Sequence, residues 1–261
     1  MKNKYTRRDS LKLMGSAVVG SKLVRGAQPL DAQTDGVRTV RVGSVDEDMR
    51  GIFVIMSTPY TESGAVHYDD LAFQVEWLDR AGAHGLVWPQ NSSDYPRLTT
   101  EEIRRGFEVL TAANRGRSLT LVLGVQQDST PEMVAQATFA EGLEPDMMIA
   151  MPPKVGDSLE DYREYYSALA EVTSRPIMIQ TSPNRPGLEF KTDFIKELAD
   201  QYPNLGYVKE EVQPVFERIQ ALVGQPQIKR VYSAMRGRYF AYDLRLGVDG
   251  LVSGMVMYAE V

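Results

Sequence analysis

A lysine closes the segment Leu205-Gly206-Tyr207-Val208-Lys209-Glu210, directly after a short apolar run. At the end of a buried strand, low-dielectric surroundings disfavour an ammonium and leave a free amine able to attack a carbonyl carbon. The protonated imine so formed is an electron sink, which makes a neighbouring carbanion accessible near neutral pH. A structural role competes with this one: the aliphatic stem of Lys209 lies on the protein while its charge reaches solvent and pairs with Glu210. Tyr60, after the apolar run at Ile52–Met56, extends toward the same end of the molecule, either as a packed aromatic or as a substrate contact. Arg185 follows Pro183-Asn184 in a turn-like stretch, where it either meets an anionic group or faces solvent. Other chemistries are poorly supplied. There is no cysteine, so disulfides, thiolate catalysis and thiolate metal sites are excluded. The two histidines, His67 and His84, are isolated and lack metal-ligand spacing, so no metal site is expected.

The residues around these groups are those of an ordinary globular protein, 43% hydrophobic and 25% charged over 261 residues. A net charge of -6 without a basic patch beyond the N-terminus argues against nucleic acid as a partner. The N-terminus stands apart. Thr6-Arg7-Arg8-Asp9-Ser10-Leu11-Lys12 precedes a modestly apolar run, Leu13 to Val19, and resembles a bacterial twin-arginine (Tat) export signal. That run is too short for a permanent transmembrane helix, so stable membrane insertion is not expected. Residues 1–30 are assigned as the signal, 31–49 as a linker and 50–261 as a single domain, with a mature start between Ala27 and Thr34. The expected partner during export is the Tat translocon, and the expected location is the periplasm or another exported compartment.

From Arg41 onward, short apolar runs alternate with amphipathic stretches. The strand candidates are Ile52–Met56, Gly85–Trp88, Leu119–Gly124, Met147–Met151, Ile177–Gln180, Tyr207–Lys209, Arg230–Tyr232 and Leu251–Val252. Each is nearly continuous in apolar character, as for parallel strands buried on both faces. Between them, patterns such as Leu71-Val75-Leu78 and Ile103-Phe107-Leu110 place one apolar stripe on a helix. Thr99-Thr100-Glu101-Glu102 and Ser129-Thr130-Pro131-Glu132 read as helix starts. Eight strands with intervening helices favour an α/β (β/α)8 TIM barrel over a doubly wound sheet. Val261 follows the eighth strand directly, so the expected barrel lacks the helix after strand 8 and any C-terminal helical extension; either the sequence is a piece of a longer chain or the last sector is covered in another way. An uncovered last strand favours oligomerisation or instability.

Several segments, in order, resemble the dihydrodipicolinate synthase / N-acetylneuraminate lyase family of class I Schiff-base aldolases. Thr58-Pro59-Tyr60 with Gly64 and Tyr68-Asp69-Asp70-Leu71 resembles its opening strand and first helix. Gln90-Asn91-Ser92-Ser93-Asp94 stands where the family carries a Gly-Thr-Thr-Gly-Glu loop, and Leu98-Thr99-Thr100-Glu101-Glu102 matches the helix start after it. Ile177 to Gly187, with Pro183, Arg185 and Gly187 in place, resembles the Tyr-Asn-x-Pro-x-Arg-Thr-Gly stretch. Gly206 to Glu210 matches the segment of the Schiff-base lysine, and Gly247 to Ser253 the last strand.

The resemblance implies a lyase or synthase in which Lys209 forms an imine with pyruvate or another 2-oxo acid or sugar acid. It also implies that Asn91 and Ser92 hold the substrate carboxylate, since both keep hydrogen-bond donors where the family has threonines. No metal or organic cofactor is implied, because the imine itself is the electron sink. A homo-oligomer is expected on the same ground. Two departures stand out. Gln90 and Ser93 replace glycines of the loop, and Lys154, in Met151-Pro152-Pro153-Lys154, fills the slot of a proton-relaying tyrosine. Lys154 either takes over proton transfer or points to solvent. The alternative function is a periplasmic barrel that binds a small carboxylate without turnover.

Overall fold

The computed structural model describes residues 49–156, 158–181, 188 and 190–254. Eight parallel strands form a closed barrel: β1 Gly51–Ile55, β2 Gly85–Trp88, β3 Thr120–Gly124, β4 Met147–Ala150, β5 Ile177–Gln180, β6 Tyr207–Lys209, β7 Arg230–Ser233 and β8 Gly250–Ser253. The pairing of β1 with β8, from Gly51–Gly250 to Val54–Ser253, closes the ring. The helices are α1 Tyr68–Arg80, α2 Thr100–Asn114, α3 Thr130–Glu141, α4 Leu159–Val172, α5 Thr192–Gln201, α6 Val215–Leu222 and α7 Phe240–Leu246. Each lies between two successive strands, so the alternation expected from the apolar runs is observed. Capping follows local chemistry: Thr99 accepts from the Glu102 amide, and the Glu102 carboxylate accepts from the Thr99 amide. At Ser129 no such side-chain cap forms; its hydroxyl donates to Glu132 instead, at 2.9 Å. The assigned signal (1–30) and all of the assigned linker (31–49) but Met49, together with residues 255–261 after β8, lie outside the described residues. Among the described residues, no helix is long and apolar enough to cross a membrane.

Strand periodicity separates two cores. Val54, Leu86, Leu121, Leu123, Met148, Val208 and Val231 point outward and pack with the helix stripes, including Leu71, Phe107, Leu169 and Leu198. Their neighbours Phe53, Ile55, Val87, Val122, Met147, Ile149, Met178, Tyr207, Tyr232 and Val252 fill the barrel interior. Phe53 and Tyr232 meet edge to face at 5.3 Å, and the Tyr232 hydroxyl donates to the Met49 carbonyl at 2.8 Å. Met49 therefore lies against the aromatic packing where β1 begins. With the interior filled by side chains, chemistry is left to the end where the strands finish.

Candidate active site at the barrel mouth

The alternation that turns Tyr207 inward also turns Lys209 inward, one layer higher at the C-terminal end of β6. Lys209 is 2% exposed. Its Nζ lies 2.9 Å from Oε1 of Glu211, two residues on and on the same face. The other oxygen of that carboxylate, Oε2, accepts from Nε2 of Gln180 at 2.8 Å. Gln180 ends β5 directly opposite Lys209 in the strand register. A lysine, a carboxylate and an amide thus form one cluster inside the mouth. Gln180 Oε1, also buried, has no hydrogen-bond partner among the described residues. Lys209 and Glu211 thus form an ion pair in which the lysine is almost out of solvent.

Glu210, between them, faces the other way and is fully buried. It accepts from Nε of Arg218 at 3.0 Å and Nη2 at 3.1 Å, from the Thr181 hydroxyl at 2.7 Å and from the Val212 amide at 2.8 Å. This bidentate pair ties β6 to α6, and it leaves Glu210 unavailable to Lys209. The pairing of Lys209 with Glu210 expected of a snorkelling lysine is thus not observed. Thr181 Oγ1 also accepts from the Glu211 amide at 2.8 Å, so the turn of the chain after Lys209 is set by a residue of the neighbouring strand.

The loop after β2 is built from buried amides and hydroxyls. The Trp88 indole donates to Thr58 Oγ1 at 3.0 Å, and the Thr58 hydroxyl donates to the Ser93 carbonyl. The Ser93 hydroxyl donates to the Met56 carbonyl at 2.6 Å and accepts from the Gln90 amide at 3.1 Å. Gln90 Nε2 donates to Gln126 Oε1, and Gln126 Nε2 donates to the Pro89 carbonyl, both at 2.9 Å. A Cβ on Gly124 would stand 2.1 Å from that carbonyl, so only glycine permits this approach of β3 to the loop. The replaced loop glycines are accommodated without left-handed backbone at Gln90. The positive φ falls on Asp94 (61°), a residue type that tolerates it, and its carboxylate is held by the Tyr60 hydroxyl at 3.2 Å and by Arg97 at 3.5 Å.

Asn91 and Ser92 start a short 3-10 helix and are exposed at the rim. Ser92 leans over the end of β8, where a Cβ on Gly254 would meet its Cβ at 2.8 Å and its Oγ at 3.0 Å. The two residues thus rim the side of the mouth formed by β8 and β1, two strands around the barrel from β6. Tyr60 serves the loop through Asp94. Lys154 is placed elsewhere: its side chain is 63% exposed and its Nζ lies 2.8 Å from Asp128 Oδ1 on the loop after β3. Arg185 lies outside the described residues. Tyr95 and Tyr165 anchor the loop after β3 from below, through the Gln126 carbonyl (2.8 Å) and the Gln127 amide (3.1 Å). Burial pushes both phenols above the ordinary tyrosine range.

Sequence reasoning missed Glu211, Gln180, Thr181 and Ser93. Glu211 had a readable signal, since residues two apart on an extended chain share a face. Gln180 and Thr181 had none, because their role comes from strand pairing across about thirty residues of chain.

The closed (β/α)8 barrel thus carries a buried lysine at the C-terminal end of a strand, the face on which barrels of this fold gather their polar groups. Residues 48–260 match the model of the dihydrodipicolinate synthetase family, and the chain belongs to that family. Family members are class I aldolase-type lyases. A 4-hydroxy-tetrahydrodipicolinate synthase of Methanococcus aeolicus is 27% identical over 163 residues, which is 62% of this chain and 56% of the relative. The chain thus spans a little over half the length of that curated relative. Among solved structures, an N-acetylneuraminate lyase from Mycoplasma synoviae aligns with a TM-score of 0.71 at 21% identity, covering 80% of this chain and 70% of the other. A family member from E. coli in complex with pyruvate aligns with a TM-score of 0.72 at 20% identity, covering 78% and 70%. Both structures share this fold.

Proposed function

We propose that the protein is a Schiff-base lyase or synthase in which Lys209 condenses with pyruvate or a related 2-oxo acid. The observation that carries this reading is the position of Lys209: inward, 2% exposed, at the end of β6 and at the mouth of the barrel. The rim residues Asn91 and Ser92 supply donors for the substrate carboxylate. Family membership and the pyruvate complex of a structural neighbour support the same substrate class. Lys154, exposed and paired with Asp128, does not carry the proton relay in this reading.

Proton exchange at C3 of pyruvate tests the proposal. With enzyme in deuterium oxide, the methyl signal of pyruvate is expected to decay, and Lys209→Ala is expected to remove the decay. The second reading, a barrel that binds a small carboxylate without turnover, draws on the tyrosine slot being filled by a surface lysine. It would show as saturable pyruvate binding with no exchange. We also propose that residues 1–30 direct export through the twin-arginine pathway. Replacing both Arg7 and Arg8 by lysine would then retain the chain in the cytoplasm, and unchanged export would refute this.

A further inference from the structure

Forming an imine on Lys209 does not by itself require a carboxylate where Glu211 stands. A carboxylate inside a barrel mouth is costly unless it is paired. This one is paired on both oxygens, with the nucleophile at 2.9 Å and with Gln180 at 2.8 Å, while its own amide is fixed on Thr181 at 2.8 Å. It is one-fifth exposed, so its outer side is open to a ligand in the mouth. The neighbouring carboxylate, Glu210, is sequestered by Arg218 on the opposite face and does not compete for Lys209. The Gln180 amide fixes Oε2 and leaves Oε1 directed at the amine.

We infer that Glu211 is the acid-base residue for imine formation, resting on the reading of Lys209 as the nucleophile. Its carboxylate takes a proton from the Lys209 ammonium. The free amine adds to the carbonyl carbon of the 2-oxo acid: the C–N bond forms, the π pair moves to oxygen, and the proton shed by nitrogen goes to that oxygen. The Glu211 carboxylic acid then gives its proton to the resulting hydroxyl, the C–O bond breaks and water leaves. The protonated imine and the Glu211 carboxylate remain. One ammonium and one carbonyl have become one iminium and one water, and Glu211 returns to its starting state.

A merely electrostatic role predicts the opposite outcome from catalysis. If Glu211 only holds Lys209 charged, removing its charge liberates the amine and speeds condensation. If Glu211 moves the protons, removing its charge slows condensation. The experiment is the rate of adduct formation with pyruvate, trapped by borohydride and read by intact mass, for wild type, Glu211→Gln and Glu211→Asp. All three are first compared by thermal melting, so that only folded protein is scored. Expected are a slowing of roughly 10²-fold in Glu211→Gln and partial recovery in Glu211→Asp. A Glu211→Gln rate equal to or above wild type, with a normal wild-type adduct, overturns the role of Glu211 alone. Absence of any wild-type adduct overturns the role of Lys209 as well. If Glu211→Gln does not fold, Glu211→Asp decides: a longer gap to the amine must slow trapping, and an unchanged rate refutes the role.

Discussion

Two lysines stand near strand ends of the same barrel, Lys209 as the last residue of β6 and Lys154 four residues past β4, and their surroundings differ in every respect that matters to chemistry. Lys209 turns inward from β6, is almost completely buried, and meets a carboxylate that is itself fixed by Gln180 and Thr181. Lys154 follows β4, is 63% exposed, and meets a carboxylate that is 53% exposed. The distances, 2.9 and 2.8 Å, are nearly the same. Contact distance therefore says little about function, and desolvation says most: an exposed pair in high dielectric is worth about 0–1 kcal/mol, whereas breaking a buried pair costs several. The residue type that a family comparison draws attention to need not be the one that the fold equips.

The comparison can be broken first on its buried side. Arg218→Met leaves Glu210 charged, buried and without its cation, and is expected to cost about 3–5 kcal/mol in denaturant unfolding. A loss near zero would mean that the β6–α6 network contributes nothing to holding the strand end. A buried carboxylate without a cation sharpens the contrast. Asp243 on α7 is 2% exposed, accepts from the Ser233 hydroxyl, and leaves Oδ1 without a partner among the described residues. Burial pushes its carboxyl above the ordinary range, against the lowering effect of Ser233. The folded state then binds the proton more tightly than the unfolded chain. Stability from this group is present below the ordinary aspartate range and is lost as pH rises through the raised folded value. Asp243→Asn should therefore raise the melting temperature at neutral pH and lose that advantage in acid. An equal shift at both pH values would contradict the assignment. The smallest effect belongs to the surface pair: Lys154→Ala should change stability by no more than about 1 kcal/mol and leave C3 exchange intact. Loss of exchange would return Lys154 to the mechanism.

The barrel was legible because parallel strands buried on both faces leave unbroken apolar runs, and the eight expected runs match β1 to β8 within one residue at each end. Lys209 was legible for the same reason, as a charge that ends such a run. The rest of the site is written in pairings between distant segments. Thr181 sets the turn that brings Glu211 under Lys209, and Arg218 removes Glu210 from contention. Neither relation has a local spacing to betray it. The loop around Asn91 lacks the two glycines of the family pattern, yet the chain places its left-handed residue at Asp94 and satisfies Ser93 inside. Arg185 and the twin-arginine segment lie outside the described residues, so their expected roles rest on the sequence.

The central claim is that one desolvated amine at the end of β6 is the nucleophile. Reduction with borohydride in the presence of pyruvate, followed by digestion and peptide mass mapping, tests it most directly. A single 1-carboxyethyl group on the Lys209 nitrogen, the reduced pyruvate imine, absent from Lys209→Ala, is the predicted result; an unmodified chain, or a label that falls on Lys154, would contradict it.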